Sequence, residues 1–291
     1  MEVSPLAARR LAALLEKRTG QGISGGRRWR LDTALQPVMR RFNLPNLEAL
    51  AARAGEADTG GDAVLAEAVV EALLNHETSF FRDRATFTML REQLLPALAE
   101  ARAAKRRLRI WSAGCATGQE THSLAMLLAD NAEAWAGWTV DLVGTDVSAA
   151  AVATARAARY TQFEVQRGLG ITELLRHFDA DGDQWRLRAE VAQRSRFSVH
   201  SLLGPPPPGP FDLILCRNVL LYFNEERRAQ VFARLAEALA PGGALVLGAG
   251  ETVLGQTDAF RPDHAIRSCY RRTSAQSAGA ERSIRAMPNA A

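Results

Sequence analysis

The chain has 291 residues, of which 47% are hydrophobic and 23% are charged, and its formal net charge is +4. This length suits two domains, and the composition is that of a globular protein with an apolar core rather than a disordered chain. No run approaches the roughly 18 apolar residues that a membrane-spanning helix needs, and the N-terminus lacks a continuous apolar segment. We therefore expect neither a membrane span nor a cleaved signal peptide.

The cysteines are few and far apart. Cys115, Cys216 and Cys269 follow no metal-ligand spacing. An odd, sparse set argues against a disulfide framework and for a reducing compartment. The sequence thus predicts a cytoplasmic protein without a metal site.

Residues 1–74 carry apolar residues at helical spacing, interrupted by glycine-rich breaks at 20–26 and 55–61. We interpret them as a small all-α N-terminal domain. The first 54 residues are basic. Their positive charge would attract an acidic partner, or their side chains would simply form a solvated helix face. Their ten cations are Arg9, Arg10, Lys17, Arg18, Arg27, Arg28, Arg30, Arg40, Arg41 and Arg53.

A predicted helix over 86–104 precedes short β-rich runs that alternate with helices. Such alternation predicts an α/β fold with a parallel, doubly wound sheet. The predicted strands are 108–114, 139–146, 196–203, 211–218 and 244–250, with a last one ending near Tyr270. The predicted helices are 119–130, 148–159 and 225–240, the last closed by Pro241-Gly242-Gly243.

The remaining segments are less regular. Residues 161–194 contain one helix near 171–178 and a polar turn, DADGDQ, at 179–184. The run PPPPGP at 205–210 indicates a stiff loop. Residues 271–291 have few large apolar residues and are predicted to be a disordered tail.

Two strand ends indicate the cofactor. The first strand runs into the glycine-containing turn 114–118, and the second ends at Asp146, where an acid can accept hydrogen bonds from ribose hydroxyls. Because GxGxxG and Walker motifs are absent, dinucleotides and nucleoside triphosphates are disfavoured. The pattern favours an adenosyl cofactor without a pyrophosphate, S-adenosylmethionine. Asp146 as a cap of the following helix is the alternative.

Three segments carry a family resemblance. NHETSFFRD at 75–83 resembles the NETxFFRD motif of CheR-type chemotaxis receptor methyltransferases. WSAGCATGQETHS at 111–123 resembles their WSAGCSTGEEPYS loop, and FDLILCRNVLLYF at 211–223 resembles their FDxIxCRNVxIYF strand. Order and spacing match as well, so the resemblance covers roughly residues 10–270.

The resemblance implies a domain layout. It comprises a receptor-docking helical domain at 1–74, a linker motif and helix at 75–104, and a tail at 271–291. Residues 105–270 would form a Rossmann-like methyltransferase domain with a short β-subdomain near 179–194.

The resemblance also implies the residues that bind S-adenosylmethionine. Asp146 would hold the ribose, Glu120 would face the methionyl end, and the others come from the linker motif and from the two later strand ends. The complete set is His76, Thr78, Arg82, Glu120, Asp146, Ser201, Leu202, Asn218 and Val219.

The chain departs from the family pattern at four positions. His76 and Ser201 each replace an asparagine, so we expect the contact at His76 to depend on pH and the contact at Ser201 to rest on the backbone. Thr121 and His122 replace the usual Pro-Tyr, which changes the side chains of that helix.

Several of these residues also have a purely structural interpretation. Arg82 can pair with a neighbouring acid, and Glu120 can be a first-turn helix carboxylate. The aromatic pair at 80–81 is expected to pack at the domain junction. Cys216, inside an apolar strand, is expected to be buried and inert.

The implied reaction is O-methylation of glutamate side chains on methyl-accepting chemotaxis receptors, with S-adenosylhomocysteine as the other product. The expected partner is the receptor's acidic helical bundle, docked by Arg27, Arg28, Arg30, Arg40 and Arg41, and the expected oligomeric state is monomeric. Tethered family members carry a glycine-containing hairpin insertion that the 179–184 turn lacks, so we expect independence from a receptor C-terminal pentapeptide.

Two other functions stay open. One is a methyltransferase acting on nucleic acid or a small molecule, although the [ND]PP[YF] segment of amino-methylating enzymes is replaced by residues 218–221, NVLL. The other is a non-catalytic adaptor with a decayed cofactor site, as the four departures suggest.

Overall fold

The computed structural model describes residues 4–23, 30–55 and 62–273. Its first helices are α1 (Pro5–Thr19), α2 (Arg30–Arg41), α3 (Leu47–Gly55) and α4 (Ala63–Leu73). The later ones are α5 (Arg84–Met89), α6 (Leu95–Ala101), α7 (Gln119–Asp130), α8 (Ala149–Ala157), α9 (Gln162–Gln166), α10 (Ile171–His177), α11 (Ala189–Ala192) and α12 (Glu225–Ala238). In these ranges no helix combines the length and the apolar character that a bilayer span requires.

The strands follow the same numbering. They are β1 (Arg107–Ala113), β2 (Thr139–Asp146), β3 (Arg159–Thr161), β4 (Phe178–Asp181), β5 (Gln184–Leu187), β6 (Ser195–Val199), β7 (Phe211–Cys216), β8 (Leu239–Leu247), β9 (Phe260–Pro262) and β10 (Cys269–Arg272).

Helices α1 to α4 pack around a single apolar cluster that extends from Ala7 to Val70. Local capping explains where α1 begins and ends. The hydroxyl of Ser4 accepts a hydrogen bond from the N–H of Ala7, and Gly20 ends the helix in the left-handed conformation with φ 76°. Leu11, Leu14 and Leu15 of α1 are buried, whereas Leu6 in its first turn and Arg40 and Arg41 of α2 are exposed.

The main sheet has the order β6-β2-β1-β7-β8-β10-β9, in which the first five strands are parallel. Successive residues of β1 point to opposite faces: Leu108 and Ile110 join one apolar cluster, and Trp111 and Ala113 join another. This doubly wound α/β sheet, preceded by helices, confirms the predicted fold. The chain passes from β1 to β2 on one side and later to β7 on the other, so the strand order reverses beside β1.

Several predicted boundaries were wrong. The strand predicted at 196–203 ends at Val199, the strand predicted at 211–218 ends at Cys216, and the strand predicted at 244–250 spans Leu239–Leu247. The helix predicted at 225–240 ends at Ala238, because Leu239 already pairs with Phe211.

The helix predicted at 86–104 runs from Arg84 to Ala101 and is not uniform. A π-helical turn at Leu90–Leu94 joins α5 to α6. Pro96, in the first turn of α6, has no N–H for the α-helical hydrogen bond one turn back. The irregularity therefore lies where the α-helical pattern cannot continue unbroken.

A second, antiparallel sheet has the order β3-β5-β4. The sequence suggested a β-subdomain near 179–194, but its first strand begins at Arg159 and its last ends at Leu187. Two residues, Gly182 and Asp183, connect β4 to β5, and Gly182 has φ 67°. At the chain's end, β10 runs to Arg272, two residues into the segment predicted as a tail, because it pairs with β9. Residues 274–291 lie outside the described part.

The linker aromatics Phe80 and Phe81, which were expected to pack at the domain junction, belong to the apolar cluster of the sheet and not to that of helices α1 to α4. Phe80 is completely buried and contacts Tyr160 and Phe178 edge-on at 5.0 and 5.4 Å between ring centres. Gly168 lies so close to Phe80 that an added Cβ would overlap its carbonyl. The linker is thus fixed between the main sheet and the second sheet.

Candidate active site

One pocket opens at the carboxyl edge of the sheet, where the strand order reverses. This is the usual ligand position in doubly wound folds. It spans about 830 Å³, a figure that includes space open to solvent. All nine residues predicted to bind the cofactor line it: His76, Thr78, Arg82, Glu120, Asp146, Ser201, Leu202, Asn218 and Val219.

The turn after β1 forms the floor of the pocket. Gly114 and Cys115 donate their N–H groups to the carbonyl of Thr145 at 2.8 and 2.9 Å. Gly114 has φ 77°, and a Cβ there would lie 2.6 Å from Val219 Cγ2. The glycine therefore allows both the turn and the close approach of the β7 loop.

Asp146 does not cap the following helix. That role belongs to Ser148, whose hydroxyl accepts from Ala151 N–H. The Asp146 carboxylate accepts instead from the N–H groups of Ala116 and Ser148, each at 2.9 Å. A carboxylate can accept about four hydrogen bonds, so capacity remains on the pocket side for two hydroxyl donors.

Glu120 belongs to a buried ionic network centred on Arg217. The Arg217 side chain is 1% exposed and donates to Glu120 Oε2 at 3.0 Å, to Asp83 Oδ2 at 2.7 Å and to the carbonyl of Arg82 at 2.9 Å. Ser112 Oγ donates to the other oxygen of Glu120 at 2.8 Å. The network fixes a carboxylate in the pocket wall and ties the linker to the end of β7.

Arg82 does not form the carboxylate pair that its sequence neighbours suggested. Its guanidinium donates to the carbonyl of Glu77 at 2.9 Å, and Asp83 pairs with Arg217. Arg82 thus brings its positive charge to the pocket lining. Nearby, the side-chain amide of Asn75 donates to the hydroxyl of Tyr222, and both line the same pocket.

Three polar atoms of the lining are buried without a hydrogen-bond partner among the described residues. They are Nε2 of His76, Nε of Arg217 and Oδ1 of Asn218. Buried polar atoms are nearly always paired, so atoms of this kind in a pocket wall fit a polar ligand. With the Asp146 and Glu120 carboxylates, they match the hydroxyls and charged amino group of an adenosyl amino acid.

The departures at 121 and 122 affect packing rather than the pocket. Thr121 and His122 are each 1% exposed, and neither lines the pocket. His122 packs edge-on to Phe197 and donates a hydrogen bond from Nε2 to the carbonyl of Ala155 at 3.0 Å. Burial lowers the pKa of His122 to about 4.

The thiols are unsuited to nucleophilic chemistry. Cys115 and Cys216 are 1% and 0% exposed. Burial, assisted by nearby carboxylates, raises both thiol pKa values well above the usual range. Cys216 is therefore a packing residue, as its apolar strand indicated.

Sequence reasoning missed several residues of the lining. Thr19 and Gln21, at the end of α1, reach the pocket from the helical region, and His200 follows β6. Arg217, quoted only as part of a motif, proves to be the centre of the ionic network. Its position beside Asn218 at a strand end was the available signal.

Comparisons with known proteins show which family the chain resembles. Residues 76–267 match the CheR methyltransferase, SAM binding domain. The chemotaxis protein methyltransferase 1 of Pseudomonas aeruginosa is 34% identical over 85% of this chain and 90% of its own. That of Vibrio parahaemolyticus is 33% identical over 89% and 93%, and Cher2 of Pseudomonas putida is 30% identical over 90% and 95%.

Solved structures overlap less. The glycopeptide N-methyltransferase MtfA complexed with S-adenosylmethionine aligns over 52% of this chain and 53% of its own, at 18% identity and a TM-score of 0.31, an overlap too low to inform the site. The family match covers most of the chain, and the relatives match at nearly full length. The chain belongs to the CheR methyltransferase family, and its cofactor is S-adenosylmethionine.

Proposed function

We propose that this protein transfers the methyl group of S-adenosylmethionine to glutamate side chains of methyl-accepting chemotaxis receptors and produces glutamate methyl esters. The observation that carries the proposal is the convergence of the nine predicted residues, from five separate segments, on one pocket at the switch point of the sheet. The names of the relatives, chemotaxis protein methyltransferases, support the same reaction.

The reaction requires few catalytic groups from the protein. The bound sulfonium supplies an activated methyl group. A glutamate side chain has a reference pKa of about 4.3, so at neutral pH it is already an ionised nucleophile and needs no general base. The pocket residues have to hold both partners in line and exclude water. A site without a Ser/His/Asp or Cys/His arrangement fits this requirement.

The pocket suggests a role for each group of residues. Asp146 would accept from the ribose hydroxyls, and Glu120 would pair with the cationic amino group of the methionyl end. His76 and Asn218 would use their unpartnered atoms on the remaining polar groups. Leu202 and Val219, both mostly buried, would supply apolar contact.

The decisive experiment is a tritiated-methyl transfer assay. The purified protein is incubated with labelled cofactor and either receptor-containing membranes or total RNA. We expect label in the receptor, released as methanol by mild base because carboxyl methyl esters are base-labile. Label in RNA, or base-stable label in protein, would contradict glutamate O-methylation.

We predict that Asp146→Ala weakens S-adenosylhomocysteine binding at least tenfold, about 1.4 kcal/mol or more. The variant removes the acceptor proposed for the ribose and also frees the Ala116 and Ser148 N–H groups. Titration calorimetry measures the affinity. Asp183→Ala, in the β4–β5 turn, is the matched control, and unchanged binding in Asp146→Ala would remove this residue from the cofactor site.

The basic α2 surface is proposed to dock the acidic receptor bundle. Arg40 and Arg41 are exposed there; Arg27 and Arg28 lie outside the described residues, as does the side chain of Arg30. We predict that Arg40→Glu/Arg41→Glu lowers kcat/KM for receptor methylation, most strongly at low salt, and leaves S-adenosylhomocysteine affinity unchanged.

The matched control for this charge reversal is Arg261→Glu/Arg267→Glu. It changes the net charge equally on exposed positions near β9 and β10. Equal losses of kcat/KM in the two double variants would indicate a general charge effect and not docking through α2.

Tether independence is proposed from the second sheet. The β4–β5 connection is a two-residue turn, and Asp181 beside it is held by Arg159 and Arg186. No insertion is available there to enclose a peptide. We expect a receptor C-terminal pentapeptide to show no binding in calorimetry; micromolar or tighter binding would refute the proposal.

A further inference from the structure

Glu251, in the loop after β8, binds four backbone N–H groups with one carboxylate. Its Oε1 accepts from Val219 and Leu220 at 2.9 and 2.8 Å. Its Oε2 accepts from Asn218 and Gly248 at 2.7 and 2.9 Å. The carboxylate is thus fully used within the protein, and Glu251 itself does not line the pocket.

The backbone at the end of β7 creates the need for this acceptor. The strand ends at Cys216, and Asn218 then adopts a left-handed conformation with φ 60°. Three successive N–H groups, from Asn218 to Leu220, point to the same side and leave the sheet ladder. Such a concave arrangement of N–H groups binds an anion, and Glu251 supplies it.

Gly248 permits the approach of the two loops. A Cβ on this glycine would lie 3.0 Å from Asn218 N and 2.8 Å from Glu251 Oε2. Any side chain at 248 would therefore push the carboxylate away from the N–H groups. The segment 248–251 acts as a unit that brings one carboxylate to the end of a neighbouring strand.

The same loop forms one wall of the cofactor pocket. Asn218 and Val219 line it, and Val219 contacts Gly114 in the turn after β1. A shift of the 218–220 backbone would displace the Asn218 side chain and relax the contact that shapes the floor. Glu251 thus acts indirectly on the 218–220 loop and on the turn after β1, the two loops that form the wall and the floor of the pocket.

We propose that Glu251 is a positioning residue for cofactor binding, which acts as an internal anion that holds Asn218 and Val219 in their binding geometry. This inference rests on the proposed role of those two residues in the cofactor site. The role requires a carboxylate between these backbone N–H groups, but it does not require that the carboxylate be covalently attached to the chain. A free small carboxylate should therefore replace the missing side chain.

The test is chemical rescue of cofactor binding in Glu251→Ala. We expect the Kd for S-adenosylhomocysteine, measured by calorimetry in chloride buffer, to rise about tenfold or more. Formate at the same ionic strength should restore a large part of that affinity. Wild type and Glu133→Gln, an exposed glutamate at the opposite end of the sheet, should show no response to formate.

Glu251→Gln provides a second measurement if the alanine variant folds poorly. Its amide keeps one acceptor oxygen but turns an NH2 group toward two N–H donors. We therefore expect a smaller loss of S-adenosylhomocysteine affinity than in Glu251→Ala, and no response to formate. An alanine-variant Kd within about twofold of wild type, or a loss that formate does not reverse, would overturn the inference. Failure of wild type to bind S-adenosylhomocysteine would instead refute the proposed cofactor site.

Discussion

Arg217→Met is expected to destabilise the protein by about 3–5 kcal/mol and to abolish most methyl transfer. Breaking a buried ion pair by removing one partner has an effect of this size, because the other charge stays in a poorly solvated place. Here the guanidinium is 1% exposed and its partner Glu120 is 13% exposed. Urea unfolding monitored by tryptophan fluorescence measures the change in the free energy of unfolding.

Most of the destabilisation in Arg217→Met should come from the uncompensated charge of Glu120. Asp83, the other carboxylate of the network, is 44% exposed and can regain water when Arg217 is removed. Among the described residues, Glu120 then retains the hydroxyl of Ser112 as its one hydrogen-bond partner. We therefore expect the double variant Arg217→Met/Glu120→Gln to be more stable than Arg217→Met alone, because the uncompensated carboxylate is gone.

Arg91→Met is the matched control. Its ion pair with Glu92 has a short distance of 2.6 Å, but both side chains are more than half exposed. Exposed pairs contribute about 0–1 kcal/mol, so this variant should unfold almost like wild type. Should Arg217→Met lose no more stability than Arg91→Met, the network would have no structural role of the kind described.

The site was predictable to the extent that it depends on local motifs. The turn after β1, Asp146 at the end of β2 and Asn218 beyond β7 are each marked by a strand end, and parallel strands bring their carboxyl ends to one edge. Their convergence in one pocket follows from the fold class alone. This explains why the residues named at strand ends lie around the same cavity, whereas His76, Thr78 and Arg82 precede the first strand and were named from the family resemblance.

The contacts between these motifs were not predictable in the same way. Arg217 meets Asp83 across 134 positions of sequence, and Glu251 meets Asn218 across 33. Nothing in the local pattern of either segment encodes such a partner. The same limit applies to β3, whose three residues become a strand only because β5 lies beside them.

The substitution of His122 for the family's usual tyrosine leads to an expected pH dependence of stability. Burial lowers the pKa of His122 from 6.5 to about 4 in the folded protein. Between these values the unfolded chain binds the proton and the folded chain does not, so stability falls as the pH decreases from about 6.5 to about 4. The lowering of the pKa from 6.5 to about 4 corresponds to about 3 kcal/mol of stability lost at the acid end.

Other groups also lower the stability as the pH decreases, and their contributions have to be distinguished from that of His122. The pKa of His200 is also lowered by burial, and carboxylates such as Asp141 and Glu173, paired with arginines, have lowered pKa values that matter at more acidic pH. A comparison of wild type with His122→Gln isolates the contribution. Glutamine can still donate to the carbonyl of Ala155 and does not titrate.

The informative quantity is the slope of the free energy of unfolding against pH, and not the stability at neutral pH. His122 is 1% exposed, and its Nδ1 has no partner among the described residues, so any substitution there also changes packing by an amount that is independent of pH. Urea unfolding at several pH values between about 4 and 7.5 separates the two effects. We expect a shallower decline in His122→Gln than in wild type. Parallel curves would mean that the folded protein accommodates a protonated His122 and that its burial does not oppose the charge.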